Sequence, residues 1–473
     1  MSSQPNVLLI TTDHWPAALL GCAGHPTIQT PTLDELARSG TRFTNAYAEC
    51  PVCIPARRTL VTGQTPRAHG LRTMGRGGMP PVTTLAQAFR DAGYQAYAAG
   101  KLHVDPQRDR IGFDDVILCE EGRRGVLDDY ELFLGDEGYP GQQFLHGMGN
   151  NQYVARPWHL PEYTHVTNWL TRQMARTIQR RDPTRPSFWY LAYTHPHPPL
   201  APLQAYLDLY RDVAIDEPFC GEWAKNDAWG AHPTEARFFN AAQVRAARRA
   251  FYALATHIDH QLRVVLGTLQ EEGLLDNTIL LFSSDHGDML GNHNLWRKGV
   301  FYENSANIPM ILLGAHGDER VGVGQVDDRL TGWQDVMPTL CDLAGVPIPD
   351  TVEGVSLASQ KRREFFYGEY GEGTRATRML RDERFKLIYY PAGNRVQLFD
   401  LRDDPQEMAD LSAVAEYSAI RERLTTRLIA ELYGGDEAWA RDGVLVGIER
   451  PESQPVDNRG LSGQRGSHWP PPG

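Results

Sequence analysis

Six short segments of this chain carry side chains whose types could act together on an anionic substrate. Asp13 and His14 close an apolar run near the N-terminus, and Asp285 and His286 stand in Phe282-Ser283-Ser284-Asp285-His286-Gly287-Asp288. Carboxylates with an imidazole make a donor set for a divalent cation. Hard oxygen ligands suit Ca²⁺ or Mg²⁺, and each imidazole moves the preference toward Mn²⁺ or Zn²⁺. Cys53 opens Cys53-Ile54-Pro55-Ala56-Arg57, with Thr62-Gly63 downstream. Three cationic segments follow: Gly100-Lys101-Leu102-His103, Pro196-His197-Pro198-Pro199 and Trp296-Arg297-Lys298-Gly299. Taken singly, each has a plainer reading. Cys53 could be a core thiol, or half of a redox C-x-x-C pair with Cys50. Asp285 could cap a helix beside a core histidine, the lysines could be solvated, and residues 195–199 could be only a turn.

These residues need elements to bring them together. Residues 7–10 (VLLI) form a continuous apolar run ending in Thr11-Thr12-Asp13, the pattern of a buried parallel strand with a polar carboxyl end. Residues 94–100 lead into Lys101 to His103, residues 187–193 end at Thr194 to His197, and residues 277–282 end at Ser284 to His286. Residues 308–313 predict one more strand. Helical spacing runs over 31–38 and from about 241 to 272, with Phe251, Leu254 and Ile258 on one face. Strands alternating with helices predict an α/β fold with a mostly parallel sheet covered on both faces. The ionisable residues fall just after strand ends, the edge at which open α/β sheets bind ligands. Beyond about residue 360 the texture changes. Short strands over 364–370, 377–380, 385–390 and 396–399, then a helix over 416–432, predict a small antiparallel sheet with one helix. This divides the chain into a catalytic domain at 1–355, an α+β subdomain at 356–448 and an extended tail at 449–473. Residues 121–165 form a Gly- and aromatic-rich insertion that suits a lid or specificity loop.

The Cys53 to Arg57 segment with Thr62-Gly63 resembles the C-x-P-x-R signature and downstream T-G of type I, formylglycine-dependent sulfatases. Ser284 to Gly287 resembles that family's C-terminal metal motif. The Lys101, His197 and Lys298 segments are similar to its G-K-x-H, P-H-x-P and K-G segments, in the same order. The resemblance spans most of the chain, and it implies an alkaline phosphatase-like fold. It further implies that a generating enzyme oxidises Cys53 to formylglycine before the chain folds. One divalent cation, Ca²⁺ in first place and Mn²⁺ as the alternative, would then be held by Asp13, Asp285, His286 and the oxygen at position 53. Arg57 would hold the hydrated aldehyde, Lys101, Lys298 and His197 would bind the ester oxygens, and His103 would serve as base. In the implied reaction one hydroxyl of the diol attacks sulfur and the alcohol leaves. The second hydroxyl then loses its proton and expels sulfate, a step closed to an ordinary serine ester. The chain departs from the commonest pattern at Asp13-His14, where many members have two Asp, and at Asp285-His286, where many have Asp-Asn. The Asp-His form is similar to the branch of choline sulfatases, iduronate sulfatases and phosphonate monoester hydrolases. A formylglycine-dependent phosphonate monoester or phosphodiester hydrolase is therefore the nearest alternative, and the part of His14 stays open. A non-catalytic protein on this scaffold would lack Cys53, Arg57 or Asp285, and all are present. A two-metal enzyme would need a second ligand set. His293 and Arg297 are candidates to line the pocket.

With 41% hydrophobic and 22% charged residues, the composition is that of a globular protein. The net charge of -12 disfavours nucleic acid and anionic membrane as partners, so an anionic substrate must be drawn by a locally cationic pocket. The six cysteines are scattered, as in a reducing compartment. No apolar run could span a bilayer, and no basic residue precedes the first apolar run; together these predict a cytoplasmic protein. The expected partners are a small-molecule sulfate ester and the generating enzyme. The tail, with Arg459, Arg465, His468 and Trp469, is expected to pack on a neighbouring protomer of a homo-oligomer. The alcohol part of the substrate would be set by residues 121–165, by about 215–240 and by the tail.

Overall fold

The computed structural model describes residues 4–75, 77–121, 128–225 and 240–449. The predicted tail contact, and parts of both predicted specificity segments, lie outside the described residues. In chain order the strands are β1 (Asn6–Asp13), β2 (Thr41–Phe43), β3 (Ala46–Tyr47), β4 (Gln95–Gly100), β5 (Asp115–Leu118), β6 (Ser187–Pro196) and β7 (Thr278–Ser284). They continue with β8 (Met310–Leu313), β9 (Gln325–Asp327), β10 (Thr331–Gly332), β11 (Phe366–Tyr370), β12 (Thr377–Arg381), β13 (Phe385–Tyr390) and β14 (Arg395–Asp400). The central sheet has eight strands in the order β5-β4-β6-β1-β7-β8-β2-β9. Its pairings are parallel except those of β8, which runs against both neighbours.

The apolar run at β1 is continuous because both its faces are covered. Leu8 and Ile10 pack into one core with the helices Val166–Gln179 and Ala241–Glu271. Val7 and Leu9, pointing the other way as strand geometry requires, pack into a second core with the helices Cys53–Thr62, Leu85–Asp91 and Val336–Ala344. β11 to β14 form a separate four-stranded antiparallel sheet, and the helix Ser418–Glu431 covers it with Leu424 and Leu428. Phe366, Met379, Ile388 and Phe399 of this sheet pack against Tyr47, Met289 and Phe301 of the larger body. The mostly parallel sheet between helices, with a small C-terminal antiparallel sheet, matches the architecture expected from the sequence.

One consequence positions the site. β4, β6, β1 and β7 are consecutive neighbours in the sheet and run in the same direction, so their carboxyl ends line up along one edge. Lys101 follows β4, His197 follows β6, Asp13 ends β1 and Asp285 follows β7. At the end of β4 the chain must pass hard against β6. A Cβ on Gly100 would stand 1.8 Å from the Ala192 carbonyl oxygen, and its φ of +120° suits glycine. Among the described residues no helix is long and apolar enough to cross a membrane.

Candidate active site

Cys53 is the first residue of a wholly buried helix, Cys53–Thr62, which stops where Gly63 turns left-handed at φ 64° and donates its N–H to the Thr59 carbonyl. That explains both ends of the motif: the thiol sits at a helix N-terminus, where free N–H groups favour negative charge, and Thr62-Gly63 ends the helix. Cys53 Sγ lies 3.2 Å from His286 Nε2 and 3.6 Å from Asp13 Oδ1. Burial and Asp13 push the thiol up, and Lys298, Lys101 and His286 together bring it below an ordinary thiol. Cys50 has a different partner, the Arg72 carbonyl, and burial pushes its thiol well up. All six cysteines are free thiols.

Asp13, His14, Cys53 and His286, all buried, present four donor atoms within 4.8 Å of one another. Asp285 adjoins them, with Oδ1 3.5 Å from His286 Nε2. Each histidine is fixed through its outer nitrogen. His286 Nδ1 donates to the Gly287 carbonyl at 2.9 Å, and His14 Nδ1 donates to Asp288 Oδ2 at 2.6 Å. Both Nε2 atoms thereby face Asp13, at 3.6 Å from its Oδ1 in each case. The structure thus brings His14 into the cluster beside the predicted Asp13, Asp285 and His286.

Lys101, Lys298, His197 and Arg57 surround this group. Lys101, fully buried, sits 2.5 Å from Asp13 Oδ2 and 3.2 Å from Glu121 Oε2. Half-buried Lys298 contacts His14 Nε2 and lies 3.3 Å from His197 Nε2. Arg57 commits its donors to Asp285 Oδ2 at 3.1 Å, the Lys101 carbonyl at 2.6 Å and Asp13 Oδ2 at 3.4 Å, so its role in the resting site is to hold the two carboxylates. The carboxylates share that one guanidinium. Burial raises both, but Lys101, His197 and Arg57 bring Asp13 well below the usual range. Burial and the Asp13 charge leave Asp285 above it. His103 is buried on the loop after β4, with φ 57°. Glu120 Oε1 accepts the backbone N–H groups of Leu102 and His103 at 2.8 and 2.9 Å, and its Oε2 stands 3.8 Å from His103 Nε2. Arg297 meets the site through its backbone N–H, which donates to Asp288 Oδ1. His293 belongs elsewhere: its ring packs on Phe219 and Trp223, and its Nδ1 accepts from Gly221.

Sequence reasoning missed Glu120, Glu121, Asp288 and Tyr153. Glu120 and Glu121 lie two and three residues past the end of β5, and Asp288 is the last residue of the Ser-Asp-His-Gly-Asp run, so the strand-end rule that found the others reaches them too. Among the described residues they add acidic groups to a pocket expected to be locally cationic. Among the described residues three permanent cations, Arg57, Lys101 and Lys298, face five carboxylates, Asp13, Asp285, Asp288, Glu120 and Glu121. Burial pushes Glu120 up to about 7 and Asp288 up to about 6, against the pull of the neighbouring cations. Two added positive charges would balance this set. The donor types and the charge deficit together fit one divalent cation.

Behind His197 lies a second run of imidazoles. His195 Nδ1 meets the His197 carbonyl at 3.1 Å, and the rings of His165 and His195 and of His165 and His257 are 5.3 and 4.7 Å apart. His257 Nε2 donates to Asn168 Oδ1 at 2.6 Å, and burial pushes this ring down to about 3. A histidine held neutral when folded favours the native state above its unfolded pKa of about 6.5 and loses that contribution as pH falls toward its folded value. Between pH 6.5 and about 5, His257 alone should cost roughly 2 kcal/mol of stability. Urea unfolding in the presence of chelator checks this. The wild-type free energy should fall over that interval, and His257→Gln should show a slope shallower by one histidine's share. Equal slopes would remove His257 from the account.

The comparisons with known proteins agree with this geometry. A family model described as "Sulfatase" matches residues 5–346, and one described as "N-sulphoglucosamine sulphohydrolase, C-terminal" matches residues 291–432. An arylsulfatase of Clostridium perfringens is 35% identical over 469 residues, covering 94% of this chain and 97% of the relative. A choline-sulfatase of Rhizobium meliloti is 30% identical over 440 residues, covering 87% and 83%. In fold, the crystal structure of the phosphonate monoester hydrolase of Agrobacterium radiobacter superposes with a TM-score of 0.76 at 24% identity, covering 90% of this chain and 95% of that one.

Proposed function

Since the chain belongs to the sulfatase family, we propose that it hydrolyses sulfate monoesters with a formylglycine made from Cys53 as the nucleophile. The observation that carries this reading is the placement of Cys53: at a buried helix N-terminus, within 3.6 Å of Asp13 and 3.2 Å of His286, and flanked by Lys101 and Lys298. The maturation partner is a formylglycine-generating enzyme acting on the Cys-Ile-Pro-Ala-Arg segment. Asp13, His14, Asp285, His286 and the oxygen at position 53 would hold one divalent cation, which supplies Lewis acidity toward the sulfuryl group. A second imidazole moves the preferred ion from Ca²⁺ toward Mn²⁺. A formylglycine at position 53 would supply a geminal diol, and with it a second hydroxyl that a serine lacks.

The chain's own residues do the remaining work. Arg57 keeps Asp13 and Asp285 side by side. Lys101, Lys298 and His197 receive the sulfuryl oxygens and stabilise the charge that gathers on them in the transition state. His103, fixed on its loop by Glu120, takes the proton that must leave the spare hydroxyl. Asp285-His286 and the fold shared with a phosphonate monoester hydrolase favour a second reading, in which phosphonate monoesters or phosphodiesters are the better substrates.

Both substrate classes carry one negative charge, so gross attraction does not separate them. A sulfuryl group offers three terminal oxygens to Lys101, Lys298, His197 and the cation. A phosphonate or diester puts a carbon-bearing group where one oxygen would be, leaving a buried donor unpaired at about 1–3 kcal/mol. Aryl esters with the same leaving group should therefore show kcat/KM roughly tenfold to hundredfold higher for the sulfate. Higher kcat/KM for the phosphonate or the diester would hand the assignment to the second reading.

A further inference from the structure

Asp288 is bonded on every side. Its Oδ1 accepts the backbone N–H groups of Leu290 at 2.9 Å and Arg297 at 3.2 Å. Its Oδ2 accepts His14 Nδ1 at 2.6 Å and the Tyr153 hydroxyl. An ionised carboxylate has about four acceptor positions, so this one is saturated and has no freedom to turn. Asp288 and His14 are fully buried, and Tyr153 is nearly so, with its ring packed on Trp296 at 4.6 Å. Asp288 lies outside the four-atom donor cluster, but it decides which nitrogen of His14 carries the proton.

We infer that Asp288, braced by Tyr153, is a positioning residue that fixes His14 with its proton on Nδ1 and so presents Nε2 as a ligand atom for the divalent cation. The inference rests on the metal reading given above. The two bonds to Oδ2 act together. Tyr153 can only donate to an ionised carboxylate, and it holds Oδ2 where the His14 ring must meet it. A carboxylate behind a ligating imidazole orients the ring and raises its basicity. Tyr153 comes from the segment that the sequence marks as an insertion, so this segment is tied to the metal group through one carboxylate.

Asp288→Asn tests the idea with little disturbance. The asparagine Oδ1 can still accept from Leu290 and Arg297, while its Nδ2 offers a donor to His14. The ring must then accept at Nδ1 and carry its proton on Nε2, where it cannot ligate. Full-length protein stripped with chelator is titrated with Mn²⁺ by calorimetry, with folding checked by circular dichroism. Asp288→Asn should bind Mn²⁺ roughly 10- to 100-fold more weakly than wild type. Tyr153→Phe should weaken it in the same direction by less. In a His14→Ala background Asp288→Asn should cost nothing further, because the ring it positions is gone; a residue that merely shaped the loop would cost the same in both backgrounds. Affinity within twofold of wild type in Asp288→Asn, or an undiminished loss beside His14→Ala, overturns the inference. If Asp288→Asn fails to fold, Tyr153→Phe decides: weaker Mn²⁺ binding upholds the inference and unchanged binding overturns it. Wild-type protein that binds no divalent cation would refute the metal reading, and this inference with it.

Discussion

Cys53→Ala is expected to lower kcat/KM for an aryl sulfate by about five to six orders of magnitude, the scale on which removing a covalent nucleophile acts. The variant keeps Lys101, Lys298, His197 and the other proposed metal ligands, so sulfate esters should still bind and some acceleration over water should survive. Cys53→Ser sharpens the test. A serine hydroxyl can be sulfated but has no second hydroxyl with which to expel the group. It should therefore release no more than about one equivalent of alcohol and then stop, as a dead-end covalent intermediate demands. Steady-state and burst kinetics on folded, metal-loaded variants check both statements. A Cys53→Ala enzyme within tenfold of wild type would mean that position 53 is not the nucleophile.

The second large effect is on stability. Arg57 is 2% exposed and stands between Asp13 and Asp285, neither of which has any exposure. Replacing it with leucine leaves two buried carboxylates without their shared guanidinium, and breaking a buried pair in this way costs about 3–5 kcal/mol. Arg57→Lys should recover only part of this, because an ammonium cannot span Asp285, Asp13 and the Lys101 carbonyl together. Chemical unfolding of chelated wild-type and variant proteins measures the loss. Added Mn²⁺ should restore part of the stability of Arg57→Leu by supplying the missing positive charge. An unfolding free energy for Arg57→Leu within about 1 kcal/mol of wild type would contradict the role assigned to this pair.

Much of the fold was legible because its signals are local. The runs that became β1, β6 and β7 are continuously apolar because each strand is buried on both faces, and each ends in the polar residues that reach the site. The reversed direction of β8 was not legible. Its Met310–Leu313 run reads the same in either direction, and its partners β7 and β2 lie about 30 and 270 residues away in the chain. The site divides in the same way. Cys53, Lys101, His197, Asp285 and Lys298 stand in short segments that can be recognised one at a time. The charge balance cannot be seen that way, because it arises only when the β4–β5 loops and the region around residue 288 fold onto the same strand ends. Among the described residues Glu120 and Glu121 bring carboxylates into a pocket expected to be cationic, and His14 joins the donor cluster with its Nδ1 on Asp288, 274 residues away. Arg57 reads in the sequence as a ligand for the nucleophile, and the fold shows it bound to two carboxylates.

The central claim is that the oxygen at position 53 does the chemistry. Mass spectrometry of the peptide containing Cys53, made on preparations matured to different extents by a formylglycine-generating enzyme, tests it most directly. The sulfur of Cys53 should be replaced by an aldehyde oxygen in a measurable fraction of molecules, and sulfatase activity per molecule should rise in proportion to that fraction. Full activity in protein whose Cys53 is entirely unmodified thiol would contradict the account.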